Sequence, residues 1–266
     1  MKKLNKEALE LEAKYLRLLV YGEPGTGKTW FGASAALDTV SAPVLFLEYR
    51  AQIGSLRSNP DFVKAIDEKQ LVILQLDKYS ELNYVYTWLS QGCPENQNFD
   101  ELFDAPPKTL VVDSLTELQR SEVMRISGNQ ANKFLTDVDA PQIQHWGQLL
   151  NQFTLLANLF YKLPMHVIFI GLEDVDYGPR NVGEAPTIQG YRLALQGSSQ
   201  RQFPAYAMTV MRLDRGPRGS NVHCIGYTKA VRAKAKEQTG FLPAKIPAPS
   251  VPQLVKYLPG NEEGGE

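Results

Sequence analysis

Five short apolar runs, each closed by small or polar residues, dominate the first two-thirds of the chain. They are Tyr15–Tyr21 (YLRLLVY), Pro43–Glu48 (PVLFLE), Leu71–Leu76 (LVILQL), Thr109–Asp113 (TLVVD) and His166–Gly171 (HVIFIG). Each is strand-length, and most are apolar at successive positions rather than alternate ones, the pattern of strands covered on both faces. Between them lie helical patterns: residues 4–14, a small-residue stretch from Lys28 to Asp38, about Ser80 to Gln91 with Ser80 as N-cap, about Ser114 to Ile126, and about Pro141 to Leu163. Residues 94–108 read as a polar, proline-containing surface loop. Strands alternating with helices predict an α/β fold, a mostly parallel twisted sheet flanked by helices. Beyond Gly171 the pattern changes. Residues 174–204 are rich in Gly, Pro, Asn and Gln and read as one long mobile loop. Ala205–Leu213 and Asn221–Thr228 read as strands joined by RGPRG, an antiparallel C-terminal hairpin at the sheet edge. The expected organisation is an N-terminal helix or arm (1–14), a core (15–258) and a flexible acidic tail (259–266).

Composition narrows this picture. A chain of 266 residues holds one large α/β domain or two small ones, and 43% hydrophobic with 21% charged residues excludes wholesale disorder. No apolar run approaches the roughly 18 residues of a membrane span, and the lysines of MKKLNKEALELEAK precede no apolar stretch, so neither membrane nor secretory targeting is expected. Two cysteines, Cys93 and Cys224, are too few for a disulfide framework or a four-ligand zinc site, which makes a reducing cytoplasm the default. The formal charge of −1 conceals an asymmetry. Between Arg201 and Lys245 nine Lys/Arg face two carboxylates, a local +7 that leaves −8 for the rest. Such a block suits polyanions, although a solvated basic face has the same composition.

The strongest chemical signal follows the first strand. Gly22-Glu23-Pro24-Gly25-Thr26-Gly27-Lys28-Thr29, followed by Trp30, fits the spacing GxxxxGK[ST] between a strand and a helix. Glycines let main-chain amides turn inward around phosphate oxygens, and the helix start adds unpaired N–H groups and a positive dipole end. Lys28 supplies charge to the β- and γ-phosphates, and the Thr29 hydroxyl is a candidate Mg²⁺ ligand. Asp113, closing TLVVD, is the expected second anchor of the magnesium shell. Three carboxylates at strand ends are candidates to activate water: Glu48, Glu117 and Glu173.

Together these segments make the chain resemble the RecA-like P-loop NTPases of bacteriophages, especially the core-only recombinases that act as ATP-linked single-strand annealing proteins. The resemblance is carried by GEPGTGKT (22–29), PVLFLEYR (43–50), TLVVDSLTEL (109–118), HVIFIGLED (166–174), PTIQGYRLAL (186–195) and TKAVRAKAKE (228–237), spanning most of residues 15–258. It implies a RecA-like ATPase core using ATP and Mg²⁺, assembled head to tail as a ring or filament homo-oligomer with nucleotide at subunit interfaces. It also implies single-stranded DNA running along the segments Gln119–Ala140 and Val175–Gly197, a single-strand DNA-binding protein as a helper, and the cytoplasm of a bacterial host. Arg232, Lys234 and Lys236 match the basic residues that reach a neighbouring subunit's γ-phosphate, and spacing by two puts them on one face of an extended strand. One departure stands out. The family's second strand usually ends in a carboxylate two positions beyond an aspartate-like one; here Glu48 holds the first place and Arg50 the second, implying slow hydrolysis if the second carboxylate polarises water. The basic segment also ends KAKE, where an arginine is common in the phage proteins.

Two other classes fit parts of the pattern. A nucleotide-switched assembly or regulatory ATPase acting on a protein partner without DNA would suit the near-neutral total charge and Arg50. A small-molecule kinase needs a lid and an acceptor pocket, for which the segment 174–204 offers only Arg180, Arg192 and Arg201.

Overall fold

In a computed structural model, the described residues are 13–49, 53–93, 100–128, 140–178, 185, 187–217, 223–229 and 234–260. The strands are β1 (Arg17–Gly22), β2 (Val44–Tyr49), β3 (Leu71–Leu76), β4 (Thr109–Asp113), β5 (His166–Tyr177), β6 (Ile188–Leu193), β7 (Thr209–Arg215), β8 (Cys224–Tyr227), β9 (Lys236–Glu237) and β10 (Lys245–Pro247). They form one sheet in the order β10-β8-β7-β1-β5-β4-β2-β3, with β6 paired to β5 and β9 to β7. The strands from β7 through β1, β5, β4 and β2 to β3 are parallel, whereas β8, β10, β6 and β9 run antiparallel to their partners. A mostly parallel α/β sheet with antiparallel C-terminal strands is what the periodicity predicts.

Helices cover both faces, and strand alternation decides which side chain meets which helix. Leu18, Val20, Phe46, Val111 and Ile170 pack toward α1 (Lys28–Ala33), α2 (Pro60–Asp67) and α7 (Val251–Lys256). Leu19, Leu47, Val112, Val167 and Phe169 pack toward α4 (Leu115–Ile126), α5 (Ile143–Phe160) and α6 (Ser199–Tyr206), with α3 (Glu81–Ser90) beside them. The small residues of α1 have a reason. A Cβ on Gly32 would stand 2.9 Å from both Ile170 Cδ1 and Val111 Cγ1, so only a glycine lets this helix lie so close to the sheet.

Several boundaries differ from expectation. The predicted helix to Asp38 is α only to Ala33 and tightens to a 3-10 turn over Ser34–Leu37. Ser80 sits at the N-cap of α3 but its side chain makes no capping bond; instead the Glu81 carboxylate accepts from the amides of Asp77 and Lys78. Helix α2 is unforeseen, although Asn59 caps it and Pro60 opens it, both legible start signals. The largest correction concerns 174–204. Strand β5 runs on to Tyr177, β6 pairs antiparallel with it, and α6 follows, so the described residues of this segment are strand and helix rather than loop. Its apolar residues are spent on that packing: Leu193, Leu195 and Phe203 are buried.

Candidate nucleotide site

Strand β1 ends at Gly22, and a Cβ there would stand 2.2 Å from the carbonyl oxygen of Leu213 on β7, so the loop can begin only with glycine. The chain then turns through Gly25 (φ 78°) and Gly27 (φ 89°), left-handed conformations that side chains rarely adopt. Gly27 is the N-cap of α1, so the helix starts at Lys28 with its first amides facing the loop. Thr26 stiffens the bend by donating its hydroxyl to the Glu23 carbonyl at 2.9 Å.

Lys28 is buried, and its ammonium donates to the carbonyls of Gly22 (2.9 Å) and Glu23 (2.7 Å). Burial pulls its pKa down from 10.5 to about 8, against the pull of the Asp113, Glu173 and Glu23 charges. On the neighbouring residue the Thr29 hydroxyl donates to Asp113 Oδ2 at 2.7 Å. Burial pushes the Asp113 carboxyl above its ordinary value, and the Glu48 charge adds to this; the Thr29 hydrogen bond and Lys28 work the other way. One strand, β5, separates β1 from β4, so α1 must cross it for Thr29 to reach Asp113.

Together these groups wall a cleft of about 460 Å³ lined by Pro24, Gly25, Lys28, Thr29, Trp30 and Asp113, together with Ser55, Ser114, Glu117 and Leu172. Trp30 stands at the rim, partly exposed and edge-on to Phe62. The donor set suits Mg²⁺: a hydroxyl and a carboxylate oxygen already in contact are hard ligands, and this ion commonly takes only one or two from protein, the rest from phosphates and water. Among the described residues no group of three or more His, Cys, Asp or Glu could hold a metal.

The three candidate water activators separate by sheet face. Glu48 pairs in register with Asp113 across β2 and β4 and shares its face with Val44 and Phe46, the side of α1. Glu117, in the first turn of α4, lines the cleft, and its carboxylate is bound by Arg120. Glu173 is one residue past Leu172 and therefore turns to the other face. There it forms a buried ion pair with Arg212 at 2.6 Å, beside Asp214 and under Tyr191, and it does not line the cleft. Burial works against the Arg212 charge, but Glu173 and Asp214 more than offset it and hold its pKa above the ordinary value. Lys234 and Lys236 are likewise absent from the cleft and stand together beside α6. Arg232 and Arg50 lie outside the described residues.

A contact to the phosphate loop escaped the sequence reading. Arg215, at the end of β7, donates to the Pro24 carbonyl at 3.2 Å and lies over Gly25. Its signal is topological: β7 pairs with β1 through Tyr21–Arg212, so three further residues carry the strand over the loop. Ser55 similarly arrives on the 3-10 turn Ile53–Ser58, beyond any motif.

Fold and site together define a P-loop NTPase. A family model described as an AAA domain matches residues 14–239, and the chain belongs to that family of AAA-type P-loop ATPases. Membership supports nucleotide binding and hydrolysis and usually a magnesium requirement. No curated protein matches the chain.

Proposed function

We propose that the chain is an ATP-hydrolysing, RecA-like protein that oligomerises and binds single-stranded DNA in phage recombination or replication. The observation that carries the ATPase reading is the Thr29–Asp113 contact beside Lys28 at the start of α1. Residues Gly22 to Trp30 would hold the triphosphate, with Lys28 and the first amides of α1 compensating its charge and Thr29 and Asp113 holding Mg²⁺. When bound, that ion supplies positive charge where negative charge develops on the phosphoryl oxygens. Glu48 is assigned to orient the attacking water, because it stands opposite Asp113 in register and on the same sheet face. Glu117 on the rim is the comparison for that assignment.

The DNA reading rests on two chain segments and the basic residues. The two segments that the resemblance lays along DNA are joined at their bases: Gln119 donates to the Gln196 carbonyl at 3.4 Å and accepts the Gln196 amide at 2.6 Å. Tyr177, within the second segment, is exposed and open to stack a base, whereas Phe203 is core and Tyr191 is covered by Arg212. Lys234 and Lys236, with Arg232, are assigned to the neighbouring subunit's γ-phosphate, where a cation would stabilise the developing charge. On that reading Lys234→Ala leaves nucleotide binding by the single chain intact and lowers turnover by the assembly.

A gel shift with single-stranded DNA at low salt, with and without Mg·ATP, tests the proposal. It predicts binding strengthened by Mg·ATP and weakened steeply by salt. Absence of binding at low salt would remove DNA from the account. ATP-driven assembly indifferent to DNA, seen by light scattering, would place the chain among nucleotide-switched assembly ATPases instead.

A further inference from the structure

A pocket of about 630 Å³ opens between α6 and β9 and shares no lining residue with the nucleotide cleft. Among the described residues its wall carries four cations, Arg192, Arg201, Lys234 and Lys236, against one carboxylate, Asp176. That carboxylate is spent. Arg192 binds Asp176 at 3.3 Å and Asp174 at 3.0 Å, so the hairpin neutralises its own charges. The other three cations have no carboxylate partner among the described residues. Lys236 donates to the Ala205 carbonyl at 2.9 Å, and burial lowers its pKa. Lys234 is fixed through its main chain, its amide donating to the Tyr191 carbonyl at 3.0 Å, and the residue lines the pocket. Pro204, Val210 and Ala235 complete the wall with apolar surface.

Three like charges drawn around one hollow repel one another, and half-burying an ammonium without a counter-ion costs free energy. An arriving anion reverses both effects. The volume lies within the usual range for small-ligand sites, about 300–1,000 Å³. We propose that this pocket is a second anion site, separate from the phosphate loop, that takes a phosphate group with a flat, largely apolar ring such as a base beside it. Arg201, Lys234 and Lys236 would bind the phosphate oxygens, and Pro204, Val210 and Ala235 the rest. This use of Lys234 and Lys236 is an alternative to their cross-subunit assignment, because Arg201 completes the site within one chain and one ammonium cannot serve both anions at once. The phosphate can come from a free ligand or from the backbone of a bound strand.

The test uses the full chain carrying Lys28→Ala, which disables the phosphate loop, with and without Arg201→Glu. The probes are inorganic pyrophosphate, followed by calorimetry, and a labelled oligothymidylate of about 12 nucleotides, a length typical of single-strand sites. The expected result is one pyrophosphate site on Lys28→Ala, weakened at least about tenfold by reversing the Arg201 charge. Oligothymidylate that binds and is displaced by pyrophosphate assigns the phosphate to a strand; failure of oligothymidylate to bind assigns it to a free ligand. Absence of pyrophosphate binding to Lys28→Ala, or binding indifferent to Arg201→Glu, overturns the proposal. The chain with Lys28 intact and Arg201→Glu should bind Mg·ATP within about twofold of the unaltered chain, so loss of the second site is distinguishable from failure of the first.

Discussion

On the proposed reading of the site, the ammonium of Lys28 should link nucleotide affinity to pH. Burial without nucleotide holds its pKa at about 8, well under the ordinary 10.5. Phosphate oxygens favour the charged form, so binding raises this pKa and draws in a proton wherever the free lysine is neutral. Restoring the ordinary value is worth roughly 3 kcal/mol at about 1.4 kcal/mol per pKa unit. The sign follows from the direction. Affinity is flat below about pH 8 and falls above it, by roughly 30-fold at pH 9.5 if the bound pKa returns fully to its ordinary value. The nucleotide's own last phosphate ionisation, near pH 6, lies below this window. Stability of the nucleotide-free protein moves the opposite way: the buried charge penalises the folded state below about pH 8, and the penalty fades as pH rises toward 10.5. Calorimetry in two buffers of different ionisation enthalpy should give an uptake of about 0.7 proton per nucleotide at pH 8.5. Lys28→Arg, which does not titrate, should bind with an affinity independent of pH. Equal affinity for the unaltered chain at pH 7 and 9.5, with no proton uptake, would refute the reasoning.

Other outcomes follow from the same geometry. Glu48→Gln should retain Mg·ATP binding and lower turnover about 100-fold or more, the usual scale for a positioned base, while Glu117→Gln should change it little; the reverse order would move water activation to the rim. Glu173→Gln should cost about 2 to 3 kcal/mol of stability, because Asp214 still partners Arg212, short of the 3–5 expected for a buried pair wholly broken. Mg·ATP affinity should survive that change, and a matching loss of affinity would return Glu173 to the nucleotide chemistry. His166 is buried, its Nδ1 accepting the Leu16 amide, and burial lowers its pKa to about 4. It should weaken the fold as pH falls from 6.5 toward 4, because the unfolded chain takes up the proton first. A His166 ring resonance titrating near pH 6.5 in the folded protein would contradict this.

What the sequence reveals tracks how local its physical cause is. The core strands are legible because two covered faces demand continuous apolar runs, and Leu71–Leu76 and Thr109–Asp113 match their predicted bounds. The phosphate loop is legible because its glycines answer to backbone angles and to a neighbouring strand at Gly22. The segment 174–204 misleads because β6 carries polar Gln189 and Arg192 on a two-stranded ribbon, where only some positions meet the core. Glu173 looks like a cleft residue because it sits past a strand's carboxyl end. Only the alternation of β5, which sends Leu172 to one face and Glu173 to the other, removes it. Arg215 reaches the loop through strand pairing across nearly two hundred residues, a relation that no local pattern records.

The central claim, that Gly22 to Thr29 with Asp113 forms a magnesium–nucleotide site, is tested most directly by calorimetry with a non-hydrolysable ATP analogue. The account predicts saturable binding at one site per chain that requires Mg²⁺. Lys28→Ala should abolish it, and Asp113→Asn should remove its dependence on magnesium. Binding of unchanged affinity in both variants, or none in the unaltered chain, would contradict it.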